Sequence, residues 1–546
     1  MVSPRAERAA AGGTHDWLGA ARLALATMTP PADSTPTVPA WAAHLPAGLG
    51  PEQVDLLPAA NLTARWRQHW EAEPMRVYLA DTTGRQLNGE ALAAATATAA
   101  GGLAERGLGR GDRVLISCTS SLELAVAHIA ALRLGLVVVP ANTAYRAEEL
   151  AHVLHDAQPR LAIVDDAERA GWVRAAAPGI AVISPELLGS VGAPRGQDDR
   201  LDIGSLDTDA LDTVGPDAPA LIGYTSGTTG RPKGAVLSHA NLLASAEAVR
   251  IAWRWTPEDR LWLCLPLFHM HGLGVGLHGT LSAGASAVIS PRFDLDAMLA
   301  AAAGGEATLF FGVPTMYHRL ATATGAAALA KLRLLVSGSA PLPAELHRQI
   351  ETVSGTRVLE RYGMTETAML VSNPYDGERR AGTVGLALPG VELRLDPVTS
   401  EVLVNGPNVF SGYLGRPEVN AESFTDEGFF HTGDVGRFDE AGYLELVARL
   451  KELIISGGYN VYPREVEDAL RLHPAVLDAA VVGAPDPAWG EVVTAYCETD
   501  GSVAGEDLIR FVGEHLAAYK RPKVVSLVEA LPRNAMGKVV KTSLGR

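Results

Sequence analysis

The segment Tyr224-Thr-Ser-Gly-Thr-Thr-Gly-Arg-Pro-Lys233-Gly234 gathers four hydroxyls (Thr225, Ser226, Thr228, Thr229), the glycines Gly227 and Gly230, and the ammonium of Lys233. Glycines let a backbone turn tightly with its N–H groups aimed inward at an anion. The hydroxyls add donors for phosphate oxygens and the lysine adds charge. A Walker loop would end in Gly-Lys-Ser/Thr, and this segment does not. A flexible surface turn is the plainer alternative, but so dense a set of donors points to a polyphosphate. The segment follows the apolar run ALIGY and precedes AVLSHANLL, which places it between a strand and a helix.

Five further segments follow in order: LPLFHMHG (265–272), ERYGMTE (360–366), HTGD (431–434), ARLKELIISGGYNVYPREVE (448–467) and PRNAMGK (532–538). With the 224–234 segment, they make the chain from about residue 65 to its C-terminus resemble the acyl-adenylate-forming enzymes. That family includes acyl-CoA synthetases, luciferases and peptide-synthetase adenylation domains. The resemblance implies that a carboxylate attacks the α-phosphorus of ATP, that pyrophosphate leaves, and that CoA takes the acyl group from acyl-AMP. Charge develops on phosphate oxygens in such a step, so donors and Mg²⁺ must be aimed there beforehand.

By that resemblance Thr225, Ser226, Gly227, Thr228, Thr229, Gly230 and Lys233 grip the phosphates. Thr365 reaches the α-phosphate, and Glu366 holds Mg²⁺. Tyr362 stacks on adenine, Gly338 and Ser339 border it, and Glu360, Arg361, Gly363 and Met364 complete the nucleotide segment. Asp434 and Arg449 hold the ribose, although Asp434 alone would read as a turn carboxylate after Gly433. Lys538 is the catalytic lysine that bridges carboxylate and phosphate, with Thr225 and Glu366 beside it. Lys451 is a hinge about which the small domain rotates. Rotation withdraws Lys538 and brings Gly457 and Gly458 to a CoA channel. One departure from the family pattern is Ala448, where a glycine is common.

The motifs give a reaction type rather than a substrate. Arg292, just past an apolar strand in GASAVISPRFD, is the residue chosen to pair with a second carboxylate on the acid, since a buried guanidinium would be unwelcome to a fatty chain. HMHGLG, RF, GVPTMYHR, VSGSA and ERYGMTET together resemble the malonyl-CoA synthetases, which implies malonate or methylmalonate. Met364 then sets pocket volume, and His269 and His271 are pocket wall or hydrogen-bond donors. Adenylation needs no general base, because the attacking carboxylate is already ionised. The alternatives are that Arg292 faces solvent or pairs with Asp294 or Asp296, and that the acid is fatty or aromatic. A non-CoA acceptor, or nitrite as the activated group, also stays open. An amino-acid substrate is disfavoured, because LFHMHGLGVGLHG offers no carboxylate for an amino group. A catalytically dead binding module is disfavoured by the intact Thr225, Lys233, Glu366, Asp434 and Lys538.

These residues need a scaffold, and 546 residues are too many for one core. Short β-branched runs at 161–166, 179–183, 287–290 and 333–337 alternate with helical segments such as 88–107, so layered α/β sheets are expected. The fold class is α/β. A large N-terminal domain with a β-rich subdomain spans 51–450, and a small, mobile α+β C-terminal domain spans 451–546. Residues 1–50, rich in Ala, Pro, Thr and Gly, read as a poorly ordered extension with a short helix around Trp17 to Met28. Acidic residues outnumber basic ones, 62 to 46, for a formal net charge of −16, so neither nucleic acid nor an anionic membrane is an expected partner. The stretch Leu122 to Pro140 carries Glu123, His128 and Arg133, and reads as a buried helix running into a strand rather than a membrane span. No secretory signal is evident before Ala26, and Cys118, Cys264 and Cys497 lie far apart. Together these features suggest a cytoplasmic monomer or homodimer.

Overall fold

The computed structural model describes residues 39–188, 208–225, 232–456, 459–486, 489–534 and 538–544. Two large sheets dominate. The first runs, in spatial order, Leu386–Ala387, Val371–Ser372, Leu359–Tyr362, Leu334–Ser337, Leu309–Gly312, Arg260–Leu263, Ser286–Ile289, Val77–Asp81 and Gln86–Asn88. Its six inner strands are parallel. The second runs Gly412–Tyr413, Lys233–Ser238, Pro219–Thr225, Val137–Pro140, Arg113–Ser117, Leu161–Val164 and Ala181–Ile183.

Alternation along the strands divides the core. Val114 and Ile116 join the main core, whereas Leu115 between them joins a separate outer cluster. Likewise Leu261 and Leu263 face the main core and Trp262 faces an outer one. The main core therefore lies between the sheets and holds the helices Leu122–Arg133 and His239–Ala252. Both helices are apolar around nearly their whole circumference, as buried layers require. The outer faces carry helices such as Ala147–Ala157 on the second sheet and Pro314–Ala321 on the first. The 122–140 stretch is thus a buried helix followed by the strand Val137–Pro140. Among the described residues no helix is long and apolar enough to cross a membrane.

One local expectation is corrected. The 224–234 segment joins two antiparallel strands, Pro219–Thr225 and Lys233–Ser238, rather than a strand and a helix. The run from Lys233 to Leu237 pairs back on the preceding strand, and the helix begins only at His239, capped by Ser238 Oγ on the Asn241 N–H at 3.1 Å. Its positive N-terminal end is therefore a full strand away from the hydroxyl-rich loop.

A four-stranded antiparallel sheet, Glu392–Leu395, Glu401–Asn405, Phe430–Phe438 and Leu444–Arg449, forms the β-rich part. The chain then builds a five-stranded sheet from Ile454–Ser456, Tyr459–Val461, Val476–Asp486, Gly490–Thr499 and Val524–Val528, with helices Pro463–Arg471 and Gly505–His515 and its own apolar core. Residues 40–53 form two short 3-10 helices, and the buried His44 places Nε2 3.2 Å from the Leu386 carbonyl. The helix expected near Trp17 to Met28 lies outside the described residues.

Candidate active site

The hairpin Pro219–Thr225/Lys233–Ser238 presents Thr225 opposite Lys233, with Thr225 Oγ1 3.5 Å from the Lys233 carbonyl oxygen. Ser226, Gly227, Thr228, Thr229 and Gly230 lie outside the described residues, as do Gly457 and Gly458. The Lys233 ammonium sits 4.5 Å from the ring centroid of Tyr413, a favourable cation–π placement. Tyr413 in turn donates its hydroxyl proton to Glu366 Oε1 at 2.9 Å. Glu366 is buried, its other oxygen has no protein partner, and burial holds its carboxyl above the usual range. A buried carboxylate oxygen with nothing to accept suits a bound cation. Among the described residues no cluster of three or more His, Cys, Asp or Glu could hold a metal by itself, so Glu366 would share such a cation with a ligand's oxygens.

Tyr362 ends the strand Leu359–Tyr362 and donates its hydroxyl to Asp434 Oδ2 at 2.5 Å. Asp434 and Arg449 face each other across adjacent strands, and Arg449 Nε reaches Asp434 Oδ1 at 2.7 Å. Burial raises the Asp434 carboxyl pKa, and Arg449 opposes that rise. Lys538 completes this side. Its ammonium is lowered from the ordinary lysine value, first by desolvation and then by Arg449, while Glu452 and Asp434 act the other way. The Arg449 charge thus acts on both Glu366 and Lys538, which lie 172 positions apart. Lys451 lies in the 3-10 turn Leu450–Glu452, at the junction with the five-stranded sheet.

A second cluster adjoins the first. His271 opens a wide π-helical turn, His271–Leu277, and its Nδ1 lies 3.1 Å from Ser339 Oγ. Ser339 adopts a left-handed backbone with φ +68°, unusual for a serine and held by this local packing. The His271 N–H donates to His269 Nδ1 at 3.2 Å. Both imidazoles are kept neutral: burial, and after it the Arg361 charge, takes His269 down to about 4 and His271 well below its usual value. Arg361 is buried, and its Nε and Nη2 meet no protein acceptor. Burial lowers even this guanidinium to about 9. It lies flat on Gly338, where a β-carbon would be 2.5 Å from Cζ and from Nε, so only glycine fits beneath it. Met364 is half-buried nearby, its sulfur 3.9 Å from the Tyr362 hydroxyl.

Two expectations change here. Arg292 is exposed, three residues beyond the end of Ser286–Ile289, so the buried cation is Arg361 and not Arg292. Arg361 had been grouped with the nucleotide, but alternation along its strand turns it to the histidine side while Tyr362 faces Asp434. Glu360, beside it, accepts the Leu342 N–H on Oε1 at 2.9 Å, and burial pushes its carboxyl up to about 7. Tyr413, which joins Lys233 to Glu366, was missed. It lies between motifs, and a tyrosine followed by Leu-Gly-Arg-Pro carries no chemical signature.

The chain is similar to known proteins along most of its length. Residues 66–414 match the AMP-binding enzyme family, and residues 465–538 match the AMP-binding enzyme C-terminal domain. A malonate–CoA ligase of Arabidopsis thaliana is 35% identical, covering 80% of this chain and 78% of its own. A feruloyl-CoA synthase of an Amycolatopsis species is 37% identical, covering 85% and 94%. Among solved structures, ATP-bound MatB from Rhodopseudomonas palustris superposes with a TM-score of 0.81 at 39% identity, covering 88% of this chain and 97% of that one.

Proposed function

The chain belongs to the AMP-binding enzyme family, and from that premise we propose that it is an AMP-forming acid–CoA ligase whose acid is a short dicarboxylate, malonate or methylmalonate. One carboxylate oxygen attacks the α-phosphorus of ATP and pyrophosphate departs, leaving acyl-AMP. The CoA thiol then attacks the acyl carbon, AMP leaves, and a thioester forms.

The observation that carries the acid's identity is the unpaired, buried guanidinium of Arg361. Leaving such a charge without an anion is destabilising by several kcal/mol. A second carboxylate on the substrate supplies the missing partner, with two free N–H groups ready for a bidentate pair. The neutral His269 and His271 beside it can donate or accept without adding charge. A monocarboxylic acid would leave Arg361 unpaired.

The remaining residues take the following roles in this reading. Thr225 and Lys233, with Ser226, Gly227, Thr228, Thr229 and Gly230, bind the phosphates, and Thr365 reaches the α-phosphate. Tyr362, Gly338 and Ser339 border adenine, while Asp434 and Arg449 bind the ribose. Glu366 would hold Mg²⁺, fixed by Tyr413, and the ion would neutralise charge on the triphosphate. Lys538 meets the reacting carboxylate and α-phosphate, where a point charge favours the transition state over the ground state. For the second step, the exposed Tyr459 stacked on the half-buried Tyr519, ring centroids 4.7 Å apart, and Trp489 with Lys523 at 5.0 Å support a CoA acceptor, since stacked aromatics and a cation suit its nucleotide.

The test is acid-dependent pyrophosphate release with malonate, methylmalonate, acetate, ferulate, a fatty acid and nitrite, with and without CoA. Malonate or methylmalonate should give the highest kcat/KM. Arg361→Leu should abolish their use while leaving ATP binding intact, and Arg292→Leu should change little. Preference for ferulate or acetate, or full malonate activity in Arg361→Leu, would overturn the dicarboxylate reading.

A further inference from the structure

We propose that Lys541 is a positioning residue for Lys538, holding the carboxylates of Glu452 and Glu467 so that Glu452 cannot capture the Lys538 ammonium. The inference rests on the role given to Lys538 above.

The segment carrying Lys538 is clamped on both sides. Before it, Arg533 Nη2 lies 2.5 Å from Asp478 Oδ2 and 3.4 Å from Glu498 Oε1. Asn534 and Lys538 bond each other twice: the Asn534 N–H donates to the Lys538 carbonyl at 2.9 Å, and the Lys538 N–H donates to Asn534 Oδ1 at 3.0 Å. The Val540 N–H bonds the Pro532 carbonyl at 2.7 Å. Three residues after Lys538, Lys541 Nζ lies 2.8 Å from Glu467 Oε1 and 3.0 Å from Glu452 Oε2. Burial works against the Lys541 charge, but the two carboxylates outweigh it and raise its pKa.

Lys538 stands apart from this clamp. Among the described residues it makes no ion pair, yet two carboxylates attract it, Glu452 and Asp434. Asp434 is already taken by Arg449 and Tyr362. Glu467 has a second tie, accepting the Val481 N–H at 2.9 Å. Glu452 is therefore the carboxylate open to competition, and its ion-pair partner is Lys541. An ammonium paired to Glu452 could not also meet a carboxylate and a phosphate. Lys541 thus protects Lys538 by occupying Glu452, the residue next to Lys451 in the turn Leu450–Glu452.

The test separates the two half-reactions: ATP–pyrophosphate exchange with the acid that supports it, and thioester formation from supplied acyl-AMP and CoA. Lys541→Met should lower exchange about five- to tenfold, since one freed carboxylate now competes for Lys538. Thioester formation should hold, and Lys541→Arg should behave as the parent. The decisive variant is Lys541→Met with Glu452→Gln, which removes the rival and should recover exchange. A double variant no better than Lys541→Met, or equal loss of both half-reactions, would mean Lys541 merely holds the tail and would overturn the proposal. Lys538→Ala runs in parallel: exchange that survives it would overturn the reading of Lys538 itself, a result distinct from failure of the rescue.

Discussion

The backbone of Gly223 lies against the side chain of Thr365, so closely that a β-carbon on the glycine would sit 2.4 Å from Thr365 Cγ2. This contact locks the strand leading into the hydroxyl-rich loop to the segment that carries Glu366. Threonine is stiff at χ1, so a clash there must move backbone rather than a rotamer. Gly223→Ala should therefore destabilise the protein by about 1–3 kcal/mol and should also impair adenylation in molecules that remain folded. The check is ATP–pyrophosphate exchange well below the melting temperature. Parental exchange with only a lowered melting temperature would show that Thr365 takes no part in the chemistry.

Much of this site was legible in residue types. Ordered motifs single out Asp434, Arg449 and Lys538 from distant parts of the chain, and the structure pairs the first two and brings both to bear on the third. The helix Leu122–Arg133 and its following strand were legible because apolarity all round a helix demands two packing partners. Arg292 and Arg361 show where such reading stops. Each is an arginine at the end of, or just beyond, an apolar strand, and nothing local tells which one is desolvated. That depends on Gly338, twenty-three positions before Arg361, leaving space for a guanidinium. Tyr413 was hidden for the same reason, since its partners Lys233 and Glu366 come from distant parts of the chain. The hairpin was misread because Lys233 to Leu237 runs without a break into a helix, and one short apolar run fits either element.

The hairpin is pinned from outside by one helix. Asp156 accepts the Tyr224 hydroxyl at 2.8 Å and pairs with Arg416 Nη2 at 2.6 Å, while His152 Nε2 donates to the Pro232 carbonyl at 2.7 Å. Spaced four apart on Ala147–Ala157, these two side chains hold both stems of the hairpin proposed to bind phosphates. Tyr224→Phe removes one such tie, about 1 kcal/mol. It should raise the KM for ATP a few-fold and leave the KM for the acid unchanged, measured by steady-state kinetics with each substrate varied in turn. An equal rise in both constants would argue for general loosening instead.

Acid should unfold this protein earlier than its carboxylates alone would suggest. Burial holds His44, His239 and His269 down to about 4 and His128 to about 3, and it lowers His271 and His278 well below their usual value. His128 and His278 touch each other, Nε2 to Nε2 at 2.8 Å, so the contact needs one neutral ring to accept. In the unfolded chain each imidazole titrates near 6.5. Their contribution is complete above that pH and is lost as pH falls from about 6.5 toward 4, because the unfolded chain then binds protons that the native state refuses. Glu360, raised to about 7, opposes this: the native state keeps a proton that the unfolded chain releases above its ordinary carboxyl value. Glu366 and Asp434, also raised by burial, act in the same sense. More rings are lowered than carboxyls raised, so unfolding takes up protons below about pH 6.5, each worth about 1.4 kcal/mol per pH unit against a total stability of about 5–15 kcal/mol. Urea unfolding at pH 7.5, 6.5 and 5.5 should show a steep fall below 6.5. His44→Asn, which keeps a donor for the Leu386 carbonyl, should flatten that slope by about one proton. Stability that stays level from pH 6.5 to 5 would mean that these rings gain protons without unfolding.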